Sequence, residues 1–280
     1  MTAAARDPNR RLNLAPYLRA LAAALRRVPP EERAREGPHA QFGEDRILER
    51  IFGNQDHGYC VEVGAYDGLT GSATFLFERK GWQCLLVEPV PELADQIRRN
   101  RRCLVANCAA SAEEGEAVFY VADRVQQMST LELTSAQEEW IVSLGGAPRA
   151  IKIPTRTLDS LLDEAGFARV DFITIDVEGH EMDVLRGFTL ELHRPRVVIL
   201  EENVVTSNSD IERHMAEHRY LNFKRTGVND WYAHESDAEL VRPDAVRQFQ
   251  LEKSVRRSVD RVKERIAGRM PASVKRRLAR

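Results

Sequence analysis

Tyr59-Cys60-Val61-Glu62-Val63-Gly64-Ala65-Tyr66-Asp67-Gly68 is the stretch that decides the fold. An apolar run of strand length ends in a loop bounded by two glycines, and a helix-like segment opens near Ser72. A parallel strand delivers a ligand to its carboxyl edge in this way. A second apolar run, Cys84-Leu85-Leu86-Val87, ends in Glu88-Pro89. An acidic side chain at the tip of the neighbouring strand can hold a ribose through its hydroxyls, so the pair of runs predicts an adenosine-type cofactor.

Outward from this pair the chain keeps a strand–helix rhythm. Strands are predicted at Cys103 to Ala106, Asp171 to Ile175 and Arg196 to Leu200. Helices are predicted at Ser72 to Lys80, Pro91 to Asn100, Ser135 to Leu144, Leu158 to Gly166, Glu181 to Gly187 and Ser209 to His218. Ala117 to Val121 and Lys152 to Arg156 read as added strands. Tyr220 to Lys224 and Asp230 to Ala233 read as a pair that closes the sheet. Near-continuous apolar strands alternating with helices mean an α/β fold, a mostly parallel sheet covered on both faces.

The chain has 280 residues, 43% hydrophobic and 30% charged, enough for one large domain with arms. The expected organisation is a helical arm at 1–40, a catalytic domain at 41–240 and a basic tail at 241–280. A net charge of -2 gives no field that would single out nucleic acid. From Leu251 to Arg280 there are eleven Lys or Arg against three acids, a local +8, so the remainder carries -10. In that tail Leu251, Val255, Val259, Val262 and Ile266 share a helical face, with Arg256, Arg257, Arg261, Lys263 and Arg265 largely elsewhere. Two partners suit such a helix: the acidic body itself, or an anionic membrane surface. In the first arm Leu14, Leu18, Leu21, Leu25 and Val28 recur at helical spacing, a face for the body or for a second copy in a homodimer. Pro16, Arg19, Arg26 and Arg27 interrupt that stretch, which makes a poor membrane span and a poor signal-peptide core. Cys60, Cys84, Cys103 and Cys108 lack CxxC spacing and read as small buried residues of a reducing compartment. The expected location is the cytoplasm, with the tail as a route to the inner membrane face.

Ligands of such sheets lie beyond the carboxyl ends of the strands, which gathers distant residues into one place. The first strand brings Glu62, Gly64, Ala65, Tyr66 and Asp67 there, and the second brings Glu88. Asn107 and Cys108 follow the third strand. Asp176-Val177-Glu178-Gly179-His180 follow the fourth, and Glu201-Glu202-Asn203 the fifth. The first loop lacks a full G-x-G-x-x-G and carries acids instead. Negative charge suits a ligand with an amino group and a sulfonium better than a pyrophosphate, so S-adenosylmethionine fits better than NAD. An NAD-dependent oxidoreductase shares the sheet and the ribose-binding Glu88, but not the glycine pattern. A non-enzymatic scaffold would not need Glu62, Asp67, Glu88 and Asp176 at strand ends together.

Gln41-Phe42-Gly43-Glu44-Asp45, Val61 to Gly68, Gly81-Trp82, Val87-Glu88-Pro89, Asn107-Cys108-Ala109, Thr157-Leu158-Asp159 and Ile175 to Glu181 follow one another in the order and form of a known family. From Gln41 to about His234 the chain resembles the FkbM family of S-adenosylmethionine-dependent methyltransferases. The resemblance implies a Rossmann-like methyltransferase fold and O-methylation, commonly of sugar or polyketide hydroxyls. It implies contacts with the methionine moiety around Glu62, Gly64, Ala65 and Asp67, with Ser72 adding another. Glu88 would take the ribose, Asn107 with Cys108 the adenine edge, and Asp176 a place beside the transferable methyl. The family often has Asp where Glu62 stands and Asn where Tyr66 stands. The acid is kept in the first case, and Tyr66 is given no role.

A sugar hydroxyl is a poor nucleophile, so a base or a metal must assist its attack. Asp176, Glu178 and His180 are the candidate catalytic residues, and His180 has the free pKa nearest neutrality. A hard divalent cation, magnesium or manganese, is the other option. Asp176, Glu202 and Asn203 would be its ligands, a set that resembles the metal arrangement of catechol-type O-methyltransferases. Trp231 and Tyr232 suit either stacking on a sugar ring or the core. His214 and His218 lack the glutamate placement of a zinc-protease helix and read as a solvated face.

Overall fold

The computed structural model describes residues 39–122, 129–131, 133–202, 209–251 and 253–254. The first helical arm, the tail from 255 onward and Asn203 therefore lie outside the described residues. Helix α1 (Glu44–Phe52) precedes strand β1 (Tyr59–Val63), and α2 (Phe75–Arg79), β2 (Gln83–Val87), α3 (Pro91–Asn100) and β3 (Leu104–Ala106) follow. Then come β4 (Ala109–Ala110), β5 (Gly115–Ala122), α4 (Ser135–Ser143), β6 (Pro148–Arg156) and α5 (Leu158–Ala165). The second half holds β7 (Phe172–Ile175), α6 (Glu181–Arg186), α7 (Leu190–His193), β8 (Val197–Glu201), α8 (Ser209–Glu217), β9 (Tyr220–Thr226) and β10 (Asn229–His234).

Seven strands form the main sheet in the order β3-β2-β1-β7-β8-β10-β9. The first five run parallel, and β10 pairs antiparallel with both β8 and β9. This is the expected Rossmann-like methyltransferase architecture with its closing antiparallel pair. The order reverses between β1 and β7, and the crevice at such a reversal is where ligands of open α/β sheets bind.

Strict alternation along the strands sorts side chains onto two faces. Val61, Val63, Leu85, Val87, Ile173, Ile175, Val198 and Leu200 pack against Leu158, Leu161 and Leu162 of α5, Val184 and Leu185 of α6, and Met215 of α8. Cys60, Cys84, Leu86, Phe172, Val197 and Ile199 face the other way, onto Leu48 and Phe52 of α1, Phe77 of α2 and Ile97 of α3. The polar residues at the strand tips inherit the same alternation, which decides the site. Thr157 caps α5 by accepting from Ser160 N at 3.2 Å, and Gly166 ends that helix at φ 69°. Asp159 accepts from Thr189 N at 2.8 Å, so Thr157-Leu158-Asp159 is a cap, a core residue and a staple.

Three features correct the sequence reading or decide between its alternatives. The strands β4, β5 and β6 form a separate sheet, ordered β4-β6-β5, instead of extending the main one. Trp231 and Tyr232 are 0% and 1% exposed, because β10 lies between β8 and β9. The core reading holds for both, and neither ring is free to stack on a sugar. Leu251 is 67% exposed while Lys253 is 7% exposed, so at the start of the tail a charged side chain is buried and the apolar one faces solvent. All four cysteines are free thiols; Cys60, Cys84 and Cys108 are buried. No helix among the described residues is long and apolar enough to cross a membrane.

Candidate active site

Gly64 leaves β1 at φ 83°, and a Cβ placed there would stand 1.8 Å from the Asp176 carbonyl oxygen. The ends of β1 and β7 therefore touch through backbone at the reversal of the sheet, which only glycine permits. Asp176 N donates to Val63 O at 3.0 Å and Gly64 N to Val87 O at 3.0 Å, so the three tips are laced together.

Glu62 faces the α1–α3 side of the sheet and is 7% exposed. Its carboxylate accepts from Ser72 Oγ at 2.7 Å, from Ala73 N at 3.1 Å and from Thr74 Oγ1. Asp67 turns back on its own loop, accepting from Leu69 N at 2.8 Å, Thr70 N at 2.6 Å and Thr70 Oγ1 at 2.8 Å. Both acids, with Ser72, thus shape the cradle from within. Arg101 is a member of this group that sequence reasoning missed. Its guanidinium donates to Gly68 O at 2.6 Å, to Ser72 Oγ and Thr74 Oγ1 at 3.2 Å each, and pairs with Glu78. Nothing local in the sequence marks it, since it closes the loop from the far end of α3.

Glu88, at the tip of β2, is 4% exposed and accepts one backbone N–H on each oxygen, from Tyr66 and from Val90, both at 2.9 Å. Burial pushes its carboxyl up to about 8, against the pull of those two donors. Each oxygen keeps a lone pair for a further donor, as a vicinal diol would offer. Tyr66 holds the left-handed φ of 51° that brings its N–H to Glu88. Asn107 Nδ2 donates to the carbonyls of Glu88 and Pro89 at 2.9 and 3.1 Å, bracing that tip, while Cys108, which follows it, and Ala65, which follows Gly64, are buried at 4% and 3% exposure.

After β7 the chain turns sharply through Glu178 at φ 56° and Gly179 at φ 108°. Glu181 holds the turn, its Oε1 accepting from Val177 N at 3.3 Å and Gly179 N at 3.1 Å, and burial raises its carboxyl to about 7. His180 points to other partners. Its Nε2 lies 3.2 Å from Ser111 Oγ, and its Nδ1 lies 3.3 Å from Asp183 Oδ2 but off the line of a hydrogen bond. No hydrogen bond or ion pair among the described residues joins His180 to Asp176. The loop therefore supplies Asp176 and Glu178 to one group and holds His180 in another.

Of the expected metal set, Asn203 lies outside the described residues, and Asp176 and Glu202 fall into different groups. Strand β8 continues through Glu201, so Glu201 and Glu202 fall on opposite faces. Glu201 joins Asp176 and Glu178, one carboxylate oxygen from each lying within 4.8 Å of the others. Burial, and the charge of Asp176 after it, raise the Glu201 carboxyl well above its usual range, and burial raises Asp176 too. Glu202 instead joins Glu212 and Asp230 around Lys253, whose Nζ lies 2.6 Å from Asp230, 2.7 Å from Glu212 and 3.6 Å from Glu202. Arg225 adds a 3.0 Å contact to Asp230. Burial raises Asp230, but its bond with Glu202 and the cations Arg225 and Lys253 outweigh it, and its carboxyl is held below the ordinary value.

The Methyltransferase FkbM domain matches residues 62–222, which contain every residue of this rim. The chain is 27% identical over 154 residues to the 2-O-methyltransferase NoeI of Sinorhizobium fredii, covering 50% of this chain and 61% of that one. It is 26% identical over 153 residues to Methyltransferase 1 of Beauveria bassiana, covering 47% and 59%. It thus spans about three fifths of the length of the curated relatives it matches. Among solved structures, a TehB-like SAM-dependent methyltransferase from Corynebacterium glutamicum overlaps 80% of this chain and 97% of its own, at 11% identity and a TM-score of 0.38. With more than half of its length matched, and with the motif residues of that match converging on one rim, the chain belongs to the FkbM methyltransferase family.

Proposed function

We propose that the protein is an S-adenosylmethionine-dependent O-methyltransferase whose acceptor is a hydroxyl of a sugar, a glycan or a glycosylated metabolite. The observation that carries this reading is the backbone contact of Gly64 with Asp176 at the reversal of the sheet, with the half-satisfied Glu88 one strand away. The residues fit the donor. Glu88 has a free lone pair on each oxygen for the ribose hydroxyls, and the Gly64 turn leaves no room for a side chain. The bound donor would supply an electrophilic methyl carbon, whose bond to sulfur breaks as the bond to the acceptor oxygen forms.

What the chain contributes is alignment and a proton acceptor. The laced tips of β1, β2 and β7 fix the donor's two ends, and alignment of nucleophile and leaving group is the larger part of such catalysis. Asp176 takes the hydroxyl proton. It is nearer the reversal than His180, which Ser111 and Asp183 hold elsewhere. The name of the NoeI relative, a 2-O-methyltransferase, supports oxygen as the accepting atom.

Calorimetry with S-adenosylhomocysteine and turnover of labelled S-adenosylmethionine on a glycan panel test the reading. Asp176→Asn should lower turnover at least a hundredfold and leave S-adenosylhomocysteine binding within about tenfold. Absence of binding by either nucleoside would sink the proposal.

A further inference from the structure

Two triads of carboxylates flank the end of β8, and they differ in one respect. Glu202, Glu212 and Asp230 surround Lys253, which supplies a cation from within the chain. At the other triad, no ion pair reaches Asp176 or Glu201 among the described residues. Glu201 is 3% exposed, and its carboxylate oxygens meet no donor other than the carboxyl of Asp176, a second acid. A buried carboxylate without a partner is costly, so native chains almost always give it a proton, a donor or a cation.

The geometry suits an ion. One oxygen from each of Asp176, Glu178 and Glu201 lies within 4.8 Å of the others. Ligands around a small divalent ion with bonds of about 2.1 Å stand about 3.0 Å apart when adjacent and about 4.2 Å when opposite, so the three side chains would draw together on binding. All three donors are carboxylate oxygens, with no thiol or imidazole in the set, which selects the hard cations over zinc or copper. Lys253 shows within the same molecule that a cation among three such carboxylates is compatible with this end of the sheet.

We propose that Asp176, Glu178 and Glu201 bind one hard divalent cation, of the magnesium or manganese class, at the rim between β7 and β8. Only its use rests on the methyltransferase reading: there, the cation offers its remaining positions to water or to the acceptor hydroxyl. The binding itself does not depend on that reading.

The test is a manganese titration of the full chain, followed by electron paramagnetic resonance of free Mn2+ and by calorimetry with Mg2+. The expected result is one equivalent bound. Glu201→Gln should weaken it at least tenfold, and Glu212→Gln, in the Lys253 triad, should leave it unchanged. Glu201→Asp, which keeps the charge, should recover part of the loss and guards against misfolding of the glutamine variant. No Mn2+ bound at millimolar concentration would overturn the proposal and leave Asp176 and Glu201 as a proton-sharing pair. Equal binding by wild type and Glu201→Gln would overturn it as well. Metal binding without S-adenosylhomocysteine binding would defeat the methyltransferase reading and spare this one.

Discussion

Gly64 and Asp176 meet backbone to backbone: a Cβ on the first would stand 1.8 Å from the carbonyl oxygen of the second. The contact joins the loops after β1 and β7 into a single rim. Gly64→Ala adds a clash with backbone to a φ of 83°, so neither loop can yield alone. The expected loss is about 2–4 kcal/mol of stability, together with S-adenosylhomocysteine affinity. Urea unfolding and calorimetry on the same preparation check both. A variant with wild-type stability would show that the two loops move freely.

Arg101 should matter for the same rim from a distance. Arg101→Met keeps the aliphatic stem but removes the donors to Gly68, Ser72 and Thr74 and the cation beside Glu78. A loss of about 3 kcal/mol is expected, since a paired charge in a closed site is left without its partner. Arg101→Lys should recover little of it, because one ammonium cannot reach the same fork of acceptors. Chemical unfolding of the pair of variants decides the point.

Glu88 predicts a pH dependence with a definite sign. Burial raises its folded pKa from an ordinary 4.5 to about 8, so the folded state binds a proton that the unfolded chain releases. This contribution to stability is intact below about pH 4.5 and is lost as pH rises through 8. Glu88→Gln should therefore remove a downward slope across that window, and thermal melts of both proteins between about pH 5 and about pH 9 would show it. A ribose donating to the ionised carboxylate would reverse the preference, so S-adenosylhomocysteine should bind more tightly as pH rises towards 8, and the slope should vanish in Glu88→Gln.

Lys253 anchors the start of the tail. Lys253→Met should cost about 3 kcal/mol by leaving Asp230 and Glu202 short of a cation, although Arg225 remains. Leu251→Ser, at an exposed position, should change stability by no more than about 0.5 kcal/mol. The reverse ranking in calorimetric scans would restore the apolar face as the docking face.

The main sheet was legible because burial on both faces leaves an unmistakable mark: Val61 to Val63, Leu85 to Val87 and Ile173 to Ile175 are apolar whichever way they point. The rim was legible as a set of acids at strand ends. Their partners were not. Glu62 and Asp67 read as ligand contacts, but they bond to Ser72, Thr74 and Thr70 through a loop whose path no local pattern encodes. The cation set failed at one residue. With β8 expected to stop at Leu200, Glu201 and Glu202 looked like equivalent loop acids; the strand runs one residue further, and alternation parts them. The small sheet was half legible. Both long strands carried the right pattern, but β5 pairs with β6 across the whole of α4, and β4 is two residues long.

The opposed carboxylates at the end of β8 constrain how this chain can change length. A residue deleted within the strand would trade Glu201 for Glu202, sending the tail's anchor into the rim and the rim's ligand towards Lys253. Insertions and deletions between β7 and β8 are thus tolerable only in the helical connection, where no such parity is enforced.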